Sequence, residues 1–244
     1  MKEIRIGIVS DSHGNLPALQ TTLKYFQKIG CKEVFHLGDA VSLGSASPEC
    51  VRLLLQQNVQ CVLGNHEWTY LYGVEHCQKK LLPDEVVHEK FIREQMGEEY
   101  EAAIRKWPFV RYRTWFGKRF AFTHYAFRGK RFFPITHRPT EENLNEMFSN
   151  LRASVIFYGH EHVPWDVFGK RTYIDVGSVG CNGESNAKSI VLTVSQEGWS
   201  MERISLPYEK AAFLRQMKER GIPSQEFICE NYFGKNIPDP KKTR

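Results

Sequence analysis

The first half of the chain alternates short apolar runs with helical patterns. Runs at residues 4–9, 34–37 and 59–63 are rich in β-branched and aromatic residues, which is typical of short buried strands. Apolar residues recur at helical spacing from Leu16 to Phe26, and a second helix is predicted to begin at Ser47, taken as its N-cap. Strand, helix and strand in repetition predict parallel strands with helices packed on the faces of the sheet.

The second half favours a sheet built partly from hairpins. Runs at 110–115 and 119–122 flank Phe116-Gly117-Lys118, which is a predicted hairpin turn. Two helical segments, at about 209–220 and 223–232, are predicted to close the chain. Further strands are predicted near 155–158, 171–174, 189–194 and 199–205.

The segment from about 67 to 108 interrupts the alternation. It is polar and helix-prone, which predicts a helical insertion over one edge of the sheet. The length of 244 residues suits one generous domain. We therefore predict a single domain over 1–235 and a flexible basic tail over 236–244.

Composition excludes several classes of protein. With 41% hydrophobic residues the chain can bury a core. No apolar run reaches the roughly 18 to 20 residues that a membrane-spanning helix needs, and the N-terminus carries no signal-peptide pattern. The six cysteines form no C-x-x-C pair, which favours buried reduced thiols and a cytoplasmic protein.

The formal charge of +5 is unevenly distributed. Residues 105–138 contain ten Lys or Arg and no Asp or Glu, with eleven aromatic residues interleaved between 107 and 133. Basic groups beside exposed rings suit phosphate-bearing ligands with bases to stack. Alternatively, the rings lie in the core and the charges on a solvated face. On the first interpretation Arg128, Lys130 and Arg131 are candidate substrate contacts.

Five polar motifs recur along the chain, and nearly all of them directly follow a predicted buried strand. If those strands share one layer, their ends can deliver oxygen and nitrogen ligands to a common point. The set exceeds the needs of one metal ion, so it predicts two ions and hydrolytic chemistry. The motifs are Asp11-Ser12-His13, Gly38-Asp39, Gly64-Asn65-His66, Thr123-His124 and Gly159-His160-Glu161-His162.

The residue types suit divalent transition metals. Asp11 and His13 are two residues apart on a turn and can address one ion, while the two oxygens of Asp39 can bridge two ions. His160 and His162 point the same way in an extended stretch and can serve neighbouring ions. Mixed carboxylate, amide and imidazole ligands favour manganese, with iron, zinc, nickel or cobalt as alternatives, over magnesium or calcium. The remaining predicted ligands are Asn65 and His124.

Two ions roughly 3.5 to 4 Å apart can clamp a bridging hydroxide and the oxygens of a phosphoryl group in line. Their charge would stabilise the negative charge of the transition state. His66, next to the predicted ligand Asn65, is then available to protonate the leaving oxygen or to contact the phosphoryl group.

In this order the motifs resemble the signature of the calcineurin-like metallophosphoesterase superfamily, which reads D-x-H, G-D, G-N-H-[ED], H and G-H-x-H. The resemblance implies an α/β fold, a four-layer α/β/β/α sandwich with two mixed sheets. It also implies a distribution of ligands between two metals. Asp11, His13 and His162 would bind one metal and Asn65, His124 and His160 the other, with Asp39 bridging.

Two differences from other branches of the superfamily narrow the choice of branch that this chain resembles. The Asp-Arg-Gly that follows G-D in the serine/threonine phosphatases is absent, and Ser42 stands where purple acid phosphatases have a tyrosine ligand. Other stretches, such as Gly177-Ser178-Val179-Gly180, are similar to a prokaryotic branch related to small phosphodiesterases and diadenosine tetraphosphate hydrolases. Tyr125 follows His124 where the superfamily usually has glycine.

These observations predict a metal-dependent phosphoric ester hydrolase, with a metal-bridging hydroxide as nucleophile. The expected substrate is a small nucleotide, such as a dinucleoside polyphosphate, cleaved by a phosphodiesterase or pyrophosphohydrolase reaction. No membrane or nucleic-acid partner is expected. The alternatives are a phosphomonoesterase acting on a small ester, a nuclease, and a non-catalytic metal-binding scaffold.

Overall fold

The structure is a computed structural model, and it describes residues 3–77 and 80–234. The tail predicted at 236–244 lies outside the described residues. The strands within that part of the chain are β1 (Ile4–Val9), β2 (Glu33–His36), β3 (Gln60–Cys61), β4 (Val110–Trp115), β5 (Lys118–Thr123), β6 (Phe127–Arg128), β7 (Arg131–Phe132), β8 (Val155–Tyr158), β9 (Trp165–Phe168), β10 (Thr172–Asp175), β11 (Asn186–Val194) and β12 (Trp199–Pro207).

The α-helices of the same ranges are α1 (Leu16–Lys28), α2 (Ser47–Gln56), α3 (Asn65–Tyr72), α4 (Pro83–Gln95), α5 (Glu98–Ile104), α6 (Glu141–Met147), α7 (Lys210–Glu219) and α8 (Gln225–Ile228). A 3-10 turn (Val74–His76) follows α3, and a π-helical turn (Cys229–Phe233) follows α8. Helices α4 and α5 lie in the segment for which the sequence predicts a helical insertion.

Two five-stranded sheets form the centre of the molecule. The first has the order β12-β11-β1-β2-β3, and the second has the order β4-β5-β8-β10-β9. Both are mixed: β1, β2 and β3 run parallel, as do β5, β8 and β10, while their outer neighbours pair antiparallel. The strands β6 and β7 form a separate small hairpin.

The sheets face each other across an apolar layer that contains no helix. Ile8 and Phe35 from the first sheet and Phe122 and Phe157 from the second are all fully buried in this layer. The rings of Phe35 and Phe122 stack with centroids 3.9 Å apart. Burial of large apolar surfaces is the main force that holds two sheets face to face.

Helices cover the outer faces. Leu23 of α1 and Val51 of α2 belong to a cluster that packs on the first sheet, and Leu144 of α6 packs on the second. The molecule is therefore a four-layer α/β/β/α sandwich with two mixed sheets, as the resemblance implies.

The structure also corrects local details. The predicted hairpin is present: Trp115 pairs with Lys118, and Phe116 and Gly117 adopt the positive φ values of a two-residue turn, 49° and 76°. The predicted N-cap is wrong, because Ala46 caps α2 and the hydroxyl of Ser47 instead accepts the N–H of Ser42 at 3.0 Å.

Candidate metal centre

The parallel strands end at one edge of the two sheets, and the predicted ligands follow them there. Asp11 comes two residues after β1, Asp39 three after β2 and Asn65 four after β3. His124 directly follows β5, and His160 comes two residues after β8. The carboxyl ends of parallel strands are where α/β sheets commonly bind ligands.

The backbone at this edge is strained. Five predicted ligands have positive φ: Asp11 (56°), His13 (44°), Asp39 (57°), His160 (81°) and His162 (62°). Residues with a side chain enter this region rarely, and such strain concentrates at functional sites. These turns aim the side chains back into the gap between the strand ends.

Two glycines allow the motifs to approach each other. A Cβ at Gly64 would collide with the carboxylate of Asp39, and one at Gly159 would collide with Ser10 and with the carboxylate of Asp11. The glycines of the G-N-H and G-H-x-H motifs are therefore required by close packing against predicted ligands.

One half of the site is formed by Asp11, His13 and His162. The Nε2 atoms of His13 and His162 lie 3.1 Å apart, and Asp11 Oδ1 lies 3.3 Å from Nε2 of His162. Asp11 is fully buried, yet its Oδ1 meets hydrogen-bond geometry with no group of the described residues. A buried carboxylate oxygen in this condition is costly unless a cation pairs with it.

The other half is formed by Asn65, His124 and His160. His124 Nε2 lies 2.9 Å from Asn65 Oδ1 and 3.1 Å from His160 Nδ1. Asp39 lies between the halves, with its Oδ2 3.2 Å from Nε2 of His124 and 3.8 Å from Nε2 of His13. All seven predicted ligands therefore converge at this edge, and their division between two metals stays a prediction.

The donor set fits a pair of divalent transition metals. Each half places two imidazole nitrogens 3.1 Å apart and adds oxygen donors, and Asp39 belongs to two of the clusters of possible ligands. Mixed nitrogen and oxygen ligands are those that manganese, iron and zinc prefer.

The charge state of the site is set by burial and by Asp39. Burial lowers the pKa of His160 to about 3 and holds that of His13 well below its usual value, which favours the neutral ring that binds metal. At His124 burial opposes the charge, but the carboxylates of Asp39, Asp11 and Glu67 together raise the pKa to about 9. Burial likewise opposes ionisation of Asp39, but the neighbouring His124 and His66 hold its pKa well below the usual range.

Comparison with known proteins identifies the family. Residues 4–197 match the model of the calcineurin-like phosphoesterase superfamily domain. The chain belongs to that superfamily. It is a metal-dependent phosphoric ester hydrolase, as the motifs predict.

Relatives extend over nearly the whole chain. An uncharacterised protein of Methanocaldococcus jannaschii is 25% identical over 252 aligned positions, covering 96% of this chain and 99% of its own. The fold is similar to a hypothetical protein of Pyrococcus horikoshii (TM-score 0.76, 17% identity, 96% of this chain and 100% of that one). It is also similar to a metallophosphoesterase of Sphaerobacter thermophilus (TM-score 0.70, 22% identity, 91% and 95%).

Glu67, which ends the G-N-H-E motif, holds two ligand loops together. Its carboxylate accepts the backbone N–H groups of Asp39 (2.8 Å), Ala40 (2.6 Å) and Gly64 (2.8 Å). Burial and the negative charge of Asp39 raise the pKa of Glu67 to about 7 despite these hydrogen bonds. Glu67 therefore positions the loops that carry Asp39 and Asn65.

His66 has a partner that the motifs do not contain. Its Nδ1 lies 2.6 Å from Oε1 of Glu89, a buried residue of α4, and Ser42 Oγ donates to the same oxygen at 2.6 Å. The backbone N–H of His66 donates to Asp39 Oδ1 at 2.9 Å. With Nδ1 donating to Glu89, the Nε2 atom of His66 is the one that can act on a ligand.

Cys181 is a second residue that the motifs do not reveal. Its thiol is buried, and its Sγ lies within 4.8 Å of ligand atoms of His13 and His162. Its sequence neighbourhood contains no other cysteine or histidine, so spacing provides no signal for it.

Tyr125, the departure from the superfamily pattern, does not displace His124. Its ring packs 4.8 Å from that of His160, and its hydroxyl donates to Glu161 (3.1 Å) and accepts the N–H of Thr136 (3.0 Å). The tyrosine therefore packs against His160 and belongs to the apolar cluster beneath α6.

The predicted ligands open onto a cavity of about 540 Å³. Polar side chains of the site, including Asp39, Asn65, His66 and His160, line its floor. An apolar wall rises beside them, and the C-terminal segment contributes Asn231 and Tyr232. The wall, called the aromatic wall below, consists of Phe132, Phe133, Pro134 and Ile135.

The basic stretch divides into two parts. Upstream, Arg105 pairs with Glu101, Arg113 with Glu33, and Arg111 donates to the carbonyl of Cys61 at 2.8 Å, so these side chains serve the fold.

The predicted substrate contacts lie together at the β6–β7 hairpin. Arg128 is exposed above the ring of Phe133, and Lys130 and Arg131 line a neighbouring cavity instead of the one above the metal ligands.

Within residues 3–77 and 80–234, no helix has both the length and the apolar character that crossing a membrane requires.

Proposed function

We propose that this phosphoesterase is a phosphodiesterase or pyrophosphohydrolase that acts on a small nucleotide. The observation that carries the proposal is the cavity of about 540 Å³, in which the converging metal ligands meet the aromatic wall. A ligand with a phosphate at one end and a nucleobase at the other matches both surfaces. A small monoester needs the first surface but not the second.

In this proposal Asp11, His13 and His162 would hold one divalent ion. Asn65, His124 and His160 would hold the other, and Asp39 would be available to both. Two such ions, most favourably manganese, would supply an activated water and neutralise phosphoryl charge.

The chain's own groups perform the remaining steps. His66 donates a proton from Nε2 to the leaving oxygen, and Glu89 fixes the ring by accepting from Nδ1. The aromatic wall orients the base and excludes water from one side of the cavity. Because the leaving group is protonated by His66, poor leaving groups depend on it most.

The proposal is tested by assaying the manganese-loaded protein on bis-p-nitrophenyl phosphate, p-nitrophenyl phosphate, cyclic nucleotides and dinucleoside polyphosphates. We expect the diester and the dinucleoside polyphosphates to be hydrolysed faster than the monoester, and the purified protein to bind about two metal ions per chain. A monoester rate above the diester rate would overturn the proposed substrate class.

Isotope labelling tests the direct attack of water. Hydrolysis in oxygen-18 water should place the label in one product phosphate and none in the protein. A phosphoenzyme hydrolysed at phosphorus would also label the phosphate, so a chiral phosphorothioate diester separates the two routes. Inversion at phosphorus supports direct attack, and retention would indicate a covalent intermediate and contradict the mechanism.

A further inference from the structure

A second cavity adjoins the one above the metal ligands. It measures about 440 Å³, and Cys77 lines both cavities. Arg131 lines the second cavity and Phe132, the next residue, lines the first. Each volume lies in the range of about 300 to 1,000 Å³ that is usual for small-molecule sites.

One side of the second cavity is aromatic. The rings of Trp68 and Tyr72, one turn apart on α3, have centroids 4.3 Å apart. Trp68 Nε1 donates to the carbonyl of His76 at 3.3 Å, which holds the indole in place. Tyr72 is 36% exposed although the guanidinium carbon of Arg105 lies 5.5 Å from its ring centroid, so part of this large ring is presented to solvent.

A chain of ring contacts connects this aromatic side to the metal centre. His124 and Phe132 have centroids 5.5 Å apart, Phe132 and Phe109 are 5.2 Å apart, and Phe109 and Trp68 are 5.9 Å apart. Because packed rings have few alternative arrangements, the distance between the two cavities is set by the fold.

The other side of the second cavity is cationic. Lys130 and Arg131 of the β6–β7 hairpin line this side. Among the lining residues, the one carboxylate is that of Glu75. Exposed rings beside Lys and Arg are the combination that binds a nucleotide, since the rings stack on the base and the cations attract phosphates.

We propose that the second cavity binds the second nucleoside of a dinucleoside polyphosphate whose cleaved phosphate lies above the metal ligands. Lys130 and Arg131 then contact the phosphates that pass between the cavities. This inference rests on the proposed function, and it names the substrate as one with two nucleosides. A substrate with one nucleoside fills the first cavity and leaves the second unused.

The test compares long and short substrates in the same variants. We expect Tyr72→Ala to raise KM for diadenosine tetraphosphate by roughly 5- to 100-fold, the effect of losing one base–ring contact. The double variant Lys130→Ala/Arg131→Ala should raise the same KM and weaken its dependence on salt. The kinetics on bis-p-nitrophenyl phosphate, which has no nucleoside to place in the second cavity, should stay unchanged.

Matched controls are available on the surface. Phe168 is 65% exposed and lines neither of the two cavities, and Lys170 is an exposed cation that also lines neither. Phe168→Ala and Lys170→Ala should leave KM for both substrates unchanged. Trp68→Phe, which keeps a ring, should change KM less than Tyr72→Ala.

The outcomes separate the subsite from the reaction. An unchanged KM for diadenosine tetraphosphate in Tyr72→Ala and in Lys130→Ala/Arg131→Ala, with the substrate still hydrolysed, would overturn the subsite and leave the proposed function intact. If wild type hydrolyses neither the diester nor diadenosine tetraphosphate, the proposed function fails. In that case calorimetry still tests the subsite, with a methylene-bridged diadenosine tetraphosphate as the ligand. Equal affinity of this ligand for wild type and for the variants would reject the subsite.

Discussion

The layer between the two sheets and the edge at which their strands end both contain fully buried side chains, but they are chemically opposite. Phe35 and Phe157 in the first, and Asp11 and His124 in the second, all have 0% exposure. Burying apolar rings is favourable in itself. Burying carboxylates and imidazoles is costly unless each polar atom finds a partner, and Asp11 Oδ1 meets hydrogen-bond geometry with none of the described residues.

The difference teaches that the two regions have separate tasks. Burial of the apolar layer stabilises the fold. That stability offsets the cost of burying the charged groups of the strand-end cluster, which are positioned to bind cations. Changes in the layer should therefore unfold the protein, and changes in the cluster should remove metal or activity while the fold remains.

The largest effect is expected from Asp39→Ala. Because Asp39 lies between both halves of the site, the variant should lose metal and diester hydrolysis together while circular dichroism still shows a folded protein. Metal content and turnover provide the measurement. Asp84→Ala, at an exposed position on α4, is the control. Hydrolysis at the wild-type rate in Asp39→Ala would refute the site.

Next in size is His66→Ala. Turnover should fall by roughly 100- to 10,000-fold, the usual contribution of a positioned acid. Metal content should stay at the wild-type level, because His66 is proposed as a proton donor and not as a ligand. Loss of both metals would show that this role is wrong.

Phe157→Ala tests the other side of the comparison. Removing this buried ring should lower the free energy of unfolding by about 3 to 5 kcal/mol, because it leaves a cavity between the sheets. Denaturant titration measures the change. The exposed Phe168→Ala should cost far less, and a similar loss in both variants would contradict the proposed division of tasks.

Glu89→Gln should have a smaller effect on activity. The neutral amide should hold the His66 ring less firmly and reduce kcat by about 10- to 100-fold, with KM and metal content little changed. Glu94→Gln, at an exposed position of the same helix, is the matched control. A rise in KM without a fall in kcat would argue against a role in positioning His66.

The smallest effect is expected at a surface ion pair outside both regions. Glu49 lies 2.7 Å from Arg220, and although burial opposes its ionisation, the Arg220 guanidinium lowers the pKa of Glu49. Arg220→Gln should therefore cost up to about 1 kcal/mol of stability at neutral pH.

The pH dependence of that cost has a defined sign. Because the folded-state pKa of Glu49 is lowered, its stabilisation is fully present above the ordinary value of 4.5 and is lost as the pH falls through the lowered value. Unfolding curves of wild type and Arg220→Gln should therefore differ at pH 7 and converge in acid. A difference that grew in acid would contradict this assignment.

Much of the architecture was predictable because strands and turns have local signals. The run at 155–158 matches β8, and the turn at Phe116 and Gly117 was expected from its glycine. Strand β9 was missed, because Trp165 and Phe168 are partly exposed at the edge of the sheet and show no apolar alternation.

The candidate site was predictable to a similar extent. Its seven predicted ligands sit in short motifs, each tied to the end of a strand, so topology alone brings them together. Glu89 could not be predicted in this way. It approaches His66 from a helix that begins 17 residues later, at Pro83, and its surroundings in the sequence are those of any solvated helix.

By itself, the sequence determined which chemistry this phosphoesterase can carry, because ligand types and their order along the chain are local properties. Only the tertiary structure decided how that chemistry is directed. Segments distant in the chain meet at three places. Glu89 contacts His66, Glu67 accepts hydrogen bonds from two loops, and Cys77 lines both cavities. Contacts of that kind depend on the whole fold, and no periodic pattern in the sequence indicates them.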